Sequence, residues 1–183
     1  MLPAMQKHRR LSVEYNLTEH CNLSCYACDH ASPLLPTKFT TVEAFSRDLE
    51  ALAGVFHSEQ LRIVGGEPLL HPQLLEFLTE ARRIGIADAI VLITNGVLLP
   101  EMPAELWELI DQLWVSVYPG IKSKFDESKY TEICKAHDIH LMVWRVEDIQ
   151  QNHHQRSHRR PCAGQKDFPR VQACRRDFLP YGA

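Results

Sequence analysis

Short apolar, β-branched runs alternate with amphipathic stretches along most of this chain, and that alternation permits few folds. Leu11 to Leu17 sets Leu11, Val13, Tyr15 and Leu17 on one face, the period of a strand. Further strands are predicted at Leu61 to Val64, Ala89 to Thr94, Leu113 to Val117 and Ile139 to Val146. Between them, Thr40-Thr41 predicts a helix start, with Glu43 as capping-box partner of Thr40 and an end near Phe56. His71 to Ile84 is helical in period and stops at Gly85. Pro103 to Ile110 and Lys124 to His137 complete the set. Such β-α repetition predicts an α/β fold with a parallel sheet, outer helices and right-handed crossovers. Five strands are too few for a closed eight-fold barrel, so a partial, TIM-like barrel is expected.

The unusual residues gather where those strands end. In parallel α/β folds, ligands bind beyond the C-terminal ends of strands. The first strand runs into Cys21, Cys25 and Cys28, spaced C-x3-C-x2-C. The second ends in Gly65-Gly66-Glu67-Pro68 and the third in Thr94-Asn95-Gly96. The fourth carries Ser116 and Tyr118, the fifth Arg145 and Glu147. Six cysteines in 183 residues are too sparse for a disulfide framework. Three crowded together, one of which pairing would strand, point to a metal or cluster site in a reducing cytoplasm. Cys134, inside a helical pattern, reads as a core residue.

Other bounds are broad. A net charge of −3 and a pI near 6.4 give no electrostatic case for nucleic acid binding. No apolar run approaches the roughly 20 residues that span a bilayer, so no membrane partner is expected. The basic N-terminus, Met1 to Arg10, lacks the apolar stretch of a signal peptide, and a cytoplasmic location is expected. Residues 1–149 form the expected folded unit. Residues 150–183 form a polar tail holding His153, His154, His158, Cys162 and Cys174.

The cysteine spacing after a first strand, together with Gly65-Gly66-Glu67-Pro68 after a second, resembles the radical S-adenosylmethionine enzymes over about Leu11 to Glu147. The resemblance implies a partial (β/α)6 barrel and a 4Fe–4S cluster on Cys21, Cys25 and Cys28. It implies a fourth iron chelated by the amino and carboxylate groups of S-adenosylmethionine. One electron then yields methionine and a 5′-deoxyadenosyl radical, which takes hydrogen from a peptide, nucleoside or natural-product substrate. An electron donor such as flavodoxin or ferredoxin is the implied partner, and the substrate could itself be a protein.

Gly65 and Gly66 would let backbone approach a ligand, with Glu67 helping to accept its ammonium and Pro68 stiffening the loop. Asn95 and Ser116 match positions that often face ribose or substrate, against turn chemistry for Asn95-Gly96. Arg145 reads equally as a partner for a ligand carboxylate or for a neighbouring acid. Ala27 stands where many members carry an aromatic packed near adenine. Val171 to Cys174 is a weak candidate for a sixth strand. Two alternatives accompany this reading: an activating enzyme that installs a glycyl radical on a protein, and a non-catalytic Cys3His zinc module using His30.

Overall fold

A computed structural model describes residues 8–25, 28–118, 121 and 125–145. Five strands, β1 (His8–Asn16), β2 (Phe56–Val64), β3 (Ala87–Thr94), β4 (Gln112–Val117) and β5 (His140–Arg145), pair in sequence order. Every pairing is parallel. Three helices, α1 (Val42–Ala53), α2 (Leu74–Ile84) and α3 (Glu127–Ala136), lie between strands. The expected α/β class and parallel sheet are therefore present. Val171 to Cys174, the tail histidines, Cys162, Glu147 and Ala27 all lie outside the described residues. No described helix is long and apolar enough to cross a membrane.

The local differences from expectation have physical causes. Thr41, not Thr40, caps α1: its Oγ1 accepts from Ala44 N at 3.2 Å. Thr40 instead ties the helix entry to the end of β1, donating through Oγ1 to Asn16 O and through N to Leu17 O. Glu43 therefore has no capping-box partner at Thr40. Helix α1 stops at Ala53, and Phe56 already opens β2, whose polar first half pairs with His8 to Ser12. A parallel neighbour supplies that pairing, which alternation alone does not reveal. The segment after Pro103 is a 3-10 turn, Ala104–Glu108, rather than a longer helix. Its bonds, Leu106 N to Pro103 O and Leu109 N to Leu106 O, each span three residues, and the chain enters β4 at Gln112 before a longer helix can form.

His71 precedes α2 instead of beginning it. Its ring is 4% exposed, with Nδ1 accepting from Gln73 N and Nε2 facing Thr40 O at 3.0 Å. That pairing makes Nε2 the protonated nitrogen of a neutral ring. Gly85 ends α2 in the left-handed conformation, as expected.

The two faces of the sheet differ. Leu61, Ile63, Leu92, Leu113 and Val115 join Phe45, Leu49, Phe77 and Leu78 in the core. Phe45 meets Tyr15 and Phe77 edge-on, with centroids 4.8 and 5.1 Å away. Burial of each such ring stabilises the fold by about 1.5–3 kcal/mol. Cys134 is 1% exposed in the same core, as its helical setting predicts. On the opposite face, Arg62 bonds Glu14 and Gln60 and lies 4.8 Å over the Trp114 ring. Gln60 reaches Gln112 at 3.4 Å. This polar ladder covers the sheet face opposite the core.

Candidate functional site

The loop after β1 and the loop after β2 are bonded to each other. Leu17 N donates to Val64 O, Gly66 N to Thr18 O at 2.7 Å, and Glu67 N to His20 O at 2.9 Å. The parallel ladder of β1 and β2 thus continues past both strands, and the cysteine loop is held against Gly65-Gly66.

The glycines permit this contact. A Cβ on Gly65, whose φ is +143°, would stand 2.5 Å from Thr18 O. A Cβ on Gly66 would stand 2.2 Å from His20 O and 2.8 Å from Ser32 Oγ. Their missing side chains leave room first for the chain's own backbone. Ser32 Oγ is buried there, with no hydrogen-bond partner among the described residues. Gly66→Ala is expected to push the two loops apart and destabilise the protein by about 1–3 kcal/mol or more. It should also weaken iron retention by the cysteines. Thermal unfolding and iron content check this; a fully stable, fully loaded variant would contradict the packing argument.

Glu67 is 1% exposed and carries the buried carboxylate of the site. Oε1 accepts from Leu69 N at 3.1 Å and Thr94 Oγ1 at 2.7 Å, and Oε2 accepts from Asn95 N at 2.8 Å. Burial raises its pKa, and the three donors oppose that rise. Both oxygens are engaged by the chain itself, so the carboxylate braces the ends of β2 and β3. Pro68 opens the short 3-10 turn Pro68–Leu70 just behind.

A cavity of about 310 Å³ lies at this rim. Cys21, Cys25 and Cys28 line it, with Gly65, Gly66, Glu67, Thr94, Asn95, Ser116 and Tyr118 also in its wall. Leu23, Val64 and Ile93 supply apolar wall. The structure thus gathers the three cysteines, both glycines, Glu67, Asn95 and Ser116 around one space. Pro68 and Arg145 are not in that lining. Arg145 is exposed and ion-paired with Glu127 at the start of α3, the neighbouring-acid alternative of its two readings.

None of the three cysteines forms a disulfide. Burial pushes the Cys21 thiol up to about 11, and the Leu23 N–H donated to its sulfur at 3.3 Å opposes this. Tyr118 is pushed up to about 12, chiefly by burial, while its hydrogen bond with Ser116 acts the other way. A thiol so protonated becomes a ligand only when a metal displaces its proton. Three soft sulfur donors in the lining of a part-apolar cavity that also holds polar groups fit an iron–sulfur cluster beside a polar organic ligand. Among the described residues, no three His, Cys, Asp or Glu side chains converge on one ion. The Cys3His zinc alternative gains no support, whereas a cluster takes each thiolate on a different iron.

Two residues in this constellation take roles that the sequence does not mark. Asn22 bonds Asn95 across the cavity edge, and Thr94 bonds Glu67 and Gly96 N. Asn22 lies within the cysteine spacing, but nothing in the spacing marks its partner.

Residues 15–156 match the Radical SAM superfamily. Among curated proteins, the chain is 34% identical over 102 residues to a GTP 3',8-cyclase of Geobacter sulfurreducens, covering 54% of this chain and 31% of that protein. It is 25% identical over 144 residues to the GTP 3',8-cyclase of Clostridium perfringens, covering 76% and 43%. The chain thus spans less than half the length of these relatives. Among solved structures, BtrN in complex with AdoMet and 2-DOIA superposes with a TM-score of 0.61 at 21% identity, over 78% of this chain and 59% of BtrN. Native anSMEcpe with bound AdoMet and Kp18Cys peptide gives 0.51 at 17%, over 74% and 42%. At these identities the likeness is one of fold.

Proposed function

The chain belongs to the Radical SAM superfamily, and on that premise we propose that it is an enzyme whose Cys21, Cys25 and Cys28 hold a 4Fe–4S cluster beside bound S-adenosylmethionine. When bound, the pair supplies one-electron cleavage of the sulfonium and hydrogen-atom abstraction from a substrate. The observation that carries the reading is a single cavity lined by the three thiols together with Gly65 and Gly66.

The chain's own residues divide the remaining work. In this reading, backbone carbonyls at Gly65 and Gly66 accept the ammonium of the ligand, since the Glu67 oxygens are already engaged by Leu69, Thr94 and Asn95. Ser116 and Tyr118, also in the lining, offer hydroxyls toward ribose or substrate. Leu23, Val64 and Ile93 exclude water and stray hydrogen donors. The electron comes from a small redox protein such as flavodoxin or ferredoxin. The substrate is a peptide, nucleoside or natural product, and GTP, named in the curated relatives, is the first compound to test.

Anaerobic reconstitution with iron and sulfide tests the proposal. The expected result is a brown protein that, with dithionite, converts S-adenosylmethionine to methionine and 5′-deoxyadenosine. A colourless protein holding one tight zinc would sink it.

A further inference from the structure

The side chain of Asn95 has one orientation open to it. Its Oδ1 accepts from Val97 N at 3.0 Å, closing the turn after β3. Its backbone N–H is held by Glu67 Oε2 at 2.8 Å. With Oδ1 engaged, the amide nitrogen must face the other way, and the assignment of Nδ2 follows from the network. That nitrogen donates to Asn22 Oδ1 at 2.7 Å and lies 3.8 Å from Cys21 Sγ. Asn95 is 8% exposed, so little water competes for these bonds. It lies just past the end of β3, 74 residues along the chain from Cys21. The amide is therefore an anchored donor aimed at one arm of the cysteine loop.

We infer that Asn95 is a positioning residue for the Cys21 sulfur, fixing its loop through Asn22 and donating an N–H toward the thiolate. This rests on the reading of Cys21 as a cluster ligand. An N–H directed at a ligand sulfur stabilises the more negative, reduced state of a cluster, and hydrogen bonds to sulfur are among the determinants of cluster potential. Glu67 is part of the same device, because it sets the backbone from which Asn95 projects. The Gly-Gly-Glu loop thereby reaches Cys21 along two routes: directly through the bonded loops, and indirectly through Asn95.

The test is a potentiometric titration of the reconstituted full chain, with the reduced cluster read by electron paramagnetic resonance. Asn95→Ala removes the donor, and Asn95→Asp keeps the shape and the Val97 contact while replacing the N–H with an acceptor. Both clusters should titrate at a more negative midpoint than wild type, Asn95→Asp further than Asn95→Ala, with changed resonance positions. Asn22→Ala, which leaves the Asn95 amide facing sulfur, should shift less. A merely structural role would alter cluster loading or thermal stability and leave the midpoint of the assembled cluster in place. Equal midpoints in wild type and in whichever Asn95 variant assembles a cluster would overturn the inference alone. A wild-type chain that assembles no cluster would overturn it together with the functional reading beneath it.

Discussion

Replacing Cys25 with alanine is expected to abolish cluster assembly and S-adenosylmethionine cleavage, while replacing Cys134 should preserve both. The two residues share a side chain and differ in place. Cys25 lines the cavity with Cys21 and Cys28. Cys134 lies on α3, 1% exposed among core residues. Cys25→Ala leaves two protein thiolates where three are needed, and the other metal-ligating side chains of the cavity wall, Asp29 and His30 beside Cys28 and Glu67 at the far strand end, supply no third sulfur. Iron content and visible absorption should fall to background, as should 5′-deoxyadenosine release. The apo fold should stay intact, because the thiol sits in a loop wall and not in the core. For Cys134→Ala the loss is one small buried side chain, about 1 kcal/mol, felt in thermal unfolding and not in the brown colour. Equal cleavage by the two variants would contradict the assignment of Cys21, Cys25 and Cys28.

How far the sequence leads depends on the physical origin of each feature. The buried strands show in their apolar runs, because a parallel sheet covered by helices demands them: Leu113 to Val117 is β4 almost to the residue. The first half of β2 carries no strand pattern, because His57 to Gln60 is polar and becomes strand through its neighbour β1. The Thr40-Thr41 pair shows that helix entry was there but not which hydroxyl caps it. That choice is made by Asn16 O, contributed by a strand 24 residues earlier. The same limit applies to the site. The cysteine spacing and Gly65-Gly66 are local signals and are legible. What the glycines touch is not local: Thr18 occupies the Cβ side of Gly65, and His20 with Ser32 that of Gly66. Arg145 in an apolar strand fits a ligand carboxylate or a neighbouring acid equally by sequence, and the acid beside it, Glu127, comes from α3. Asn95 read as a turn residue or a ligand contact, and its amide reaches the cysteine loop because Val97 and Glu67 fix its orientation.

Glu67→Ala is expected to be among the most destabilising single changes outside the core. The carboxylate satisfies Leu69 N, Thr94 Oγ1 and Asn95 N, all inside the protein. Removing it leaves two backbone donors and a hydroxyl without their acceptor, on residues 8% exposed or less. At about 1–3 kcal/mol for each buried group left unpaired, a loss of about 3–5 kcal/mol follows, allowing for rotation of the Thr94 hydroxyl. A domain of this size should then unfold roughly 10 °C lower. Glu67→Gln separates charge from hydrogen bonding. Its carbonyl can replace Oε1 toward Leu69 and Thr94, but its amide nitrogen then meets the Asn95 N–H donor to donor. One unpaired contact predicts a smaller loss of about 1–3 kcal/mol, concentrated at Asn95. If Glu67 acted chiefly by accepting the ammonium of a bound ligand, both variants of the ligand-free protein would unfold like wild type and differ only in S-adenosylmethionine affinity. Ordered losses in the ligand-free protein, alanine greater than glutamine, are what the bracing geometry requires.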